Sequence, residues 1–249
     1  MAEQELKGRV AIVTGAGRNI GRAIALSLAD GGAAVVVNAR SNHQEAEAVA
    51  REIEGKSGRA LVAIGDVMDA AAVERMAAAA VQKFGRIDYL INNAAPRPET
   101  PLANLTLEEW RAVLGTILDG AFLCVKACLA ELKKSGAGAI VNIGGLSAHT
   151  GAKDRVHVVT AKAGLSGFTR ALAHDLAADQ ITVNCVAPGL VLTQRAGGAE
   201  PKHHSIHHTL SGKRGSPEDI AAVVRFLCGP GGRYITGQTI QTNGGAYLS

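Results

Sequence analysis

The chain is 249 residues long and 47% hydrophobic, which suits one large α/β domain with a substantial core. Twenty-six basic residues against 22 acidic ones leave a formal charge of +4, scattered along the chain. That balance argues against a nucleic-acid partner and suits phosphorylated small molecules. The polar start MAEQELKGR lacks the apolar centre of a signal peptide, and no apolar run reaches the roughly 18 residues of a membrane span. A cytoplasmic protein without a membrane partner is therefore expected. Cys124, Cys128, Cys185 and Cys228 show no metal-type spacing. Cys124 and Cys128, one helical turn apart, are expected to pack as small apolar side chains of a reduced protein.

The first predicted element is a strand at Val10–Val13, a run of branched apolar residues of the kind buried on both faces of a parallel sheet. It stops at Thr14-Gly15-Ala16-Gly17-Arg18-Asn19-Ile20-Gly21, and helical spacing takes over from Asn19 to about Ala29. A strand, a glycine-rich turn and a helix start form an anion site, because amide N–H groups point at a phosphate and glycine permits its close approach. Gly15, Arg18, Asn19, Ile20 and Gly21 are the residues so placed. A second strand, Ala33–Ala39, ends at Arg40-Ser41 with no acid to receive a ribose 2′-hydroxyl. Arg40 and Arg18 instead suit a 2′-phosphate, which points to NADP(H). A helix from about Gln44 to Lys56 and a third strand ending at Asp66-Val67 follow, the carboxylate being placed for an adenine amino group. Helix Ala70–Phe84 and strand Ile87–Asn92 complete a βαβαβ half. Further on, strands are expected at Ala139–Ile143, Ile181–Ala187 and Thr239–Thr242, with a helix at Val156–Asp175. No Pro/Ser-rich linker or charge block divides the chain. The fold class is a single doubly wound parallel sheet with helices on both faces.

These residues carry a resemblance. TGAGRNIG at Thr14–Gly21, Asp66-Val67, INNAA at Ile91–Ala95, Pro188-Gly189 with Thr193, and Gly244-Gly245 resemble the short-chain dehydrogenase/reductase family in order and approximate spacing. So do Arg214-Gly215 with Pro217–Ile220, and Ile235-Thr236-Gly237. Two departures lie on the cofactor side. Asn19 stands for the family's middle glycine and tolerates positive φ, and Ala95 ends the NNAG motif. The resemblance implies hydride transfer with a nicotinamide cofactor, contacts from Asn93, Ala94, Pro188, Gly189 and Thr193, a substrate lid at about 194–213, and a homotetramer.

It also implies four catalytic residues, and here the chain departs. Aligning on Thr160–Gly164 places the family lysine, which also binds the nicotinamide ribose, at Lys162. The tyrosine position is then Val158, the serine position Gly145 and the asparagine position Ile117. Valine neither donates nor accepts a proton, so a tyrosine-centred mechanism is not expected. The polar candidates nearby are Ser147, two residues past Gly145 and on the same side if that segment is extended, and His149, His157 and Thr160. Val156-His157-x-x-Thr160-Ala161-Lys162 is similar to the 2,4-dienoyl-CoA reductase branch, which also lacks the tyrosine, although the nearest acid to Ile117 is Asp119. The expectation is an NADP(H)-dependent oxidoreductase using Lys162, Ser147 and His157, with an activated C=C or C=N bond as acceptor. The opposing reading is an inactive NADP(H)-binding pseudoenzyme. His203-His204-Ser205-Ile206-His207-His208 offers i, i+4 histidine pairs but no clear carboxylate or cysteine partner, so no metal is expected.

Overall fold

The computed structural model describes residues 4–194 and 208–248. Seven parallel strands form one sheet, in the order β3-β2-β1-β4-β5-β6-β7. They are β1 Val10–Val13, β2 Ala34–Ala39, β3 Arg59–Ile64, β4 Tyr89–Asn92, β5 Ala139–Ile143, β6 Thr182–Pro188 and β7 Thr239–Thr242. The main helices are α1 Asn19–Asp30, α2 His43–Gly55, α3 Ala70–Phe84, α4 Leu107–Leu114, α5 Gly120–Lys134, a single turn α6 Ser147–Thr150, α7 Val156–Asp175 and α8 Pro217–Cys228.

The alternation of side chains along each strand sorts the core into two layers. Ala11, Val13, Val35, Val37, Ile91 and Val141 face α1, α2 and α8. Ile12, Val36, Leu90, Ile140 and Val183 face α3, α5 and α7. The strand order reverses direction at β1, whose neighbours are β2 and β4. A cleft opens there at the carboxyl ends of the strands, where open α/β sheets bind ligands.

Helix boundaries have local causes. Asp69 accepts from the Ala71 and Ala72 amides at the start of α3, and Gly85, at φ +83°, ends that helix in the left-handed region. Ser216 and Asp219 form a reciprocal capping box on α8, with Pro217 at its first turn. α4, a π turn at Gly115–Asp119 and α5 form one helical rod, Leu107–Lys134, long and apolar enough in composition to cross a membrane. In this fold it is a core helix: Cys124, Val125, Cys128 and Leu132 are buried against the sheet.

The amino end of the sheet, opposite the cleft, is fastened by Asp88. This buried carboxylate accepts from Arg9, from Arg86 at 2.6 and 2.8 Å, from the Ser135 hydroxyl and from the Val10 amide. Burial pushes its pKa up, but those hydrogen bonds and the two guanidinium groups outweigh burial and hold it below the usual carboxylate range. Asp88→Asn should lower unfolding stability by about 3 kcal/mol, since it leaves charged partners without their anion. Because the native pKa is depressed, the wild-type advantage is complete above roughly pH 4 and fades as acid protonates the folded carboxylate. Chemical denaturation of both proteins from pH 7 to pH 3 checks this, and coincident curves at pH 7 would refute it.

Candidate active site

The cleft has a volume of about 500 Å³ and runs from the end of β2 to the end of β6. Its floor is built around Thr14, at the end of β1. The Thr14 hydroxyl accepts from the Asn93 and Ala94 amides at 2.9 and 3.0 Å, and the Asn93 side chain donates back to the Thr14 and Gly15 carbonyls. Asn38, buried in β2, accepts from the Gly15 amide and donates to the Ala63 and Gly65 carbonyls at 3.1 Å. One asparagine thus ties the glycine turn to the ends of β2 and β3.

Two glycines in the turn are held to that residue by backbone angle or by space. Gly15 sits at φ +61°, and a Cβ on Gly21 would lie 2.2 Å from the Gly15 carbonyl oxygen and 2.5 Å from the Asn93 side-chain nitrogen Nδ2. Asn19 adopts φ +51°, as its stand-in role for glycine requires. Its side chain also donates to the Gln194 carbonyl at 2.9 Å and accepts from the Gln194 amide at 2.8 Å, clasping the far rim of the cleft.

At the β2 end the wall carries Arg18, Arg40 and Ser41, together with Asp66 and Val67. Asp66 lies beyond β3, which ends at Ile64 rather than at Asp66-Val67, and its carboxylate accepts from the Met68 amide at 3.0 Å. Glu45, in the first turn of α2, also faces this end. The strand end itself has no acid, but the fold brings one there from the next helix. At the other end the wall includes Asn93, Ala94, Gly145, Ser147, Val158, Lys162, Pro188, Gly189 and Thr193.

Lys162 and Val158 share a face of α7, one turn apart, and Arg155, the residue just before the helix, also lines the cleft. The Lys162 ammonium donates to the Ile143 carbonyl at the end of β5. Burial pushes its pKa down to about 7, outweighing the opposing influence of Cys185, while Arg97 and then Arg155 add lesser pushes in the same direction as burial. Val158 and Ile117 pack together with Val113, Ala121, Ala161 and Leu165 in a small apolar cluster beside the cleft. Gly145 has open space where a Cβ would stand.

The remaining polar residues divide clearly. Ser147 lines the cleft, though not for the reason the spacing suggests: it opens the helical turn α6 instead of lying in an extended segment. His157 does not line the cleft. It is fully buried on another side of α7, with Nε2 3.4 Å from Glu109 Oε1, and neither ring nitrogen makes a hydrogen bond among the described residues. Residues one apart on a helix point about 100° apart, so a histidine beside Val158 cannot share its face. Thr160 is exposed and bonds the Val156 carbonyl at 2.7 Å, and the His149 ring stacks on Tyr247. Asp119 is exposed and away from the wall. The lid at 194–213 and the histidine run lie largely outside the described residues.

A doubly wound sheet with a glycine-rich first turn and a cleft at its switch point defines the class of dinucleotide-binding oxidoreductase folds. The family described as Enoyl-(Acyl carrier protein) reductase matches residues 15–247. A 3-oxoacyl-[acyl-carrier-protein] reductase of Synechocystis sp. is 40% identical over 246 residues, covering 98% of each chain. The crystal structure of a dehydrogenase/reductase from Sinorhizobium meliloti superposes with a TM-score of 0.93 at 34% identity, covering 99% of this chain and 98% of that one. A short-chain dehydrogenase from Burkholderia cenocepacia in complex with NADP gives 0.90 at 34% identity, covering 97% and 99%. The chain belongs to the short-chain dehydrogenase/reductase family.

Proposed function

We propose that this protein is an NADP(H)-dependent reductase whose proton-handling groups are Lys162 and Ser147, with no tyrosine at the reacting end. The observation that carries the reading is Val158 on the cleft wall, one helical turn before Lys162. The cleft fits the cofactor: its first turn excludes any side chain at Gly21, and Arg18 and Arg40 stand at the β2 end for a 2′-phosphate. Asn93 and Ala94 form the floor, and Pro188, Gly189 and Thr193 the opposite wall. Bound there, NADPH supplies a hydride. The chain must then hold a developing negative charge and deliver a proton. Lys162, with its pKa brought down to about 7, gives up a proton near neutral pH far more readily than an ordinary lysine. The Ser147 hydroxyl adds a hydrogen-bonding group on the same wall. An acceptor that spreads its own charge, an activated C=C or C=N bond, places the smallest demand on this pair.

His157 drops out as a direct donor because its ring is sealed against Glu109. The competing reading is 3-oxoacyl reduction of the kind named for the Synechocystis relative, favoured by 40% identity along almost the whole chain. Its carbonyl acceptor calls for a stronger aimed donor than valine and glycine provide.

Cofactor choice is tested by titrating NADPH and NADH by fluorescence. NADPH should bind about ten- to a hundredfold more tightly, the value of a charge-assisted phosphate contact, and Arg40→Ala should remove most of that preference. Glu45→Gln should strengthen NADPH binding further, because a carboxylate at that end opposes the phosphate. Equal affinities in the wild type would overturn the assignment. Turnover is then sought with enones, enoyl thioesters and cyclic imines. Tight NADPH binding with no oxidation by any of them would favour a pseudoenzyme.

A further inference from the structure

Asn19 joins two walls of the cleft that are 175 residues apart in sequence. Its side-chain nitrogen donates to the Gln194 carbonyl, and its side-chain oxygen accepts from the Gln194 amide. One partner belongs to the glycine turn that starts α1, the other to the segment beyond β6. Thr193 lines the cleft but Gln194 does not, and both bonds are exposed, so the clasp lies on the solvent side of the wall. Gln194 enters it through its backbone alone. The rest of that rim is held from outside. The Leu190 carbonyl accepts from the Gly215 amide at 3.0 Å, and the Leu192 amide donates to the Gly215 carbonyl at 2.9 Å. Among the described residues the hydrogen bonds of Gln194 all go to Asn19. Thr193-Gln194 is thus a short arm, anchored at Leu192 and pinned at its tip to the turn. Glycine would accept the backbone angle at position 19, φ +51°, but would have nothing to reach across with.

We propose that Asn19 gates the dinucleotide: the Asn19–Gln194 clasp must open for NADP(H) to enter or leave the cleft. The inference rests on the NADP(H) reading of the cleft and adds a role that the glycine pattern does not supply. The α1 amides that suit a phosphate and the wall at 188–193 are the two sides that the clasp joins. Both of its bonds run between protein groups. An interaction equally strong in the free and the loaded protein cancels from the affinity and remains in the barrier to exchange. Asn19 therefore sets how fast the cofactor exchanges rather than how tightly it binds.

The test follows NADPH fluorescence by stopped flow on the full chain, entry by mixing and release by a chase with excess NADP⁺. Asn19→Gly should raise both rate constants about tenfold, the worth of two exposed hydrogen bonds, and leave Kd within about threefold of wild type. Gln194→Pro removes the amide donor and leaves the turn untouched, so it should raise both rate constants about threefold. That variant keeps the test decisive if Asn19→Gly slackens the turn. Gln194→Ala should match wild type, because the clasp uses only the Gln194 backbone. Without nucleotide, the Gln194 amide should exchange its hydrogen about tenfold faster in Asn19→Gly than in wild type. Unchanged release in folded Asn19→Gly and Gln194→Pro overturns the inference. So does faster release with unchanged entry in both variants, which would make Asn19 a direct cofactor contact. Equal exchange of the Gln194 amide in wild type and Asn19→Gly overturns it too. Tighter binding of NADH than NADPH defeats the 2′-phosphate reading alone, and the same rate comparison made with NADH still decides the gate. A wild type that binds neither nucleotide defeats the cofactor reading and the gate together.

Discussion

Simple ketones should be reduced by this protein about 10²–10⁴ times more slowly than by a tyrosine-bearing member of the family, the range that a positioned general acid contributes. Cyclohexanone and a 3-oxobutanoyl thioester, offered with saturating NADPH, are suitable substrates. The reason lies in packing as much as in chemistry. Val158 and Ile117 belong to one buried apolar cluster with Ala161 and Leu165, so the place of a polar relay is filled by hydrocarbon. Water entering there would find no partner on those side chains. Val158→Tyr with Gly145→Ser should recover some ketone turnover. Gly145 has open space for the new hydroxyl, and position 158 already faces the cleft. Recovery should stay partial while Ile117 remains. Ketone reduction by the wild type at rates ordinary for the family would show that another group supplies the proton, and the proposed roles of Lys162 and Ser147 would fall.

The architecture was readable in the chain because its signals are local. Branched apolar runs marked β1 and β5, and Asp69 with Gly85 bracket α3 at Ala70–Phe84, as its periodicity predicts. The third strand was read too long because Gly65-Asp66 continues an apolar run in which the Asp66 side chain has already turned to cap Met68. Long-range pairing hid more. Asn38 looks like an ordinary strand residue, and its value depends on Gly15, Ala63 and Gly65, more than twenty residues away in either direction. Glu45, Arg97 and Arg155 reach the cleft only once the sheet is assembled. Arg155 stands just before α7, where helical periodicity says nothing of its direction, whereas within α7 positions 158 and 162 share a face and the same rule separates His157 from them.

Replacing Lys162 by methionine should make the nucleotide-free protein more stable while depriving the cleft of its ammonium. An unfolded lysine titrates near 10.4, whereas burial brings Lys162 down to about 7. Between those values the unfolded chain holds a proton that the native state has released, so wild-type stability rises with pH, by about 1.4 kcal/mol per unit. Below about pH 7 both states are protonated and the full penalty of the buried charge is present. The penalty is on the order of 4 kcal/mol, against about 1 kcal/mol for the lost hydrogen bond to the Ile143 carbonyl. Lys162→Met should therefore exceed the wild type by on the order of 3 kcal/mol at pH 7, and the gap should close towards pH 10. Denaturant titrations at pH 7, 8.5 and 10 read this directly. A gap that keeps its size across that range would mean the lysine is not held in a dry site. The same variant should lose turnover of any accepted substrate, because the group removed both costs stability and carries the proton. Sites that spend stability on a misplaced charge are where function is to be sought, and in this fold that charge stands one helical turn beyond Val158.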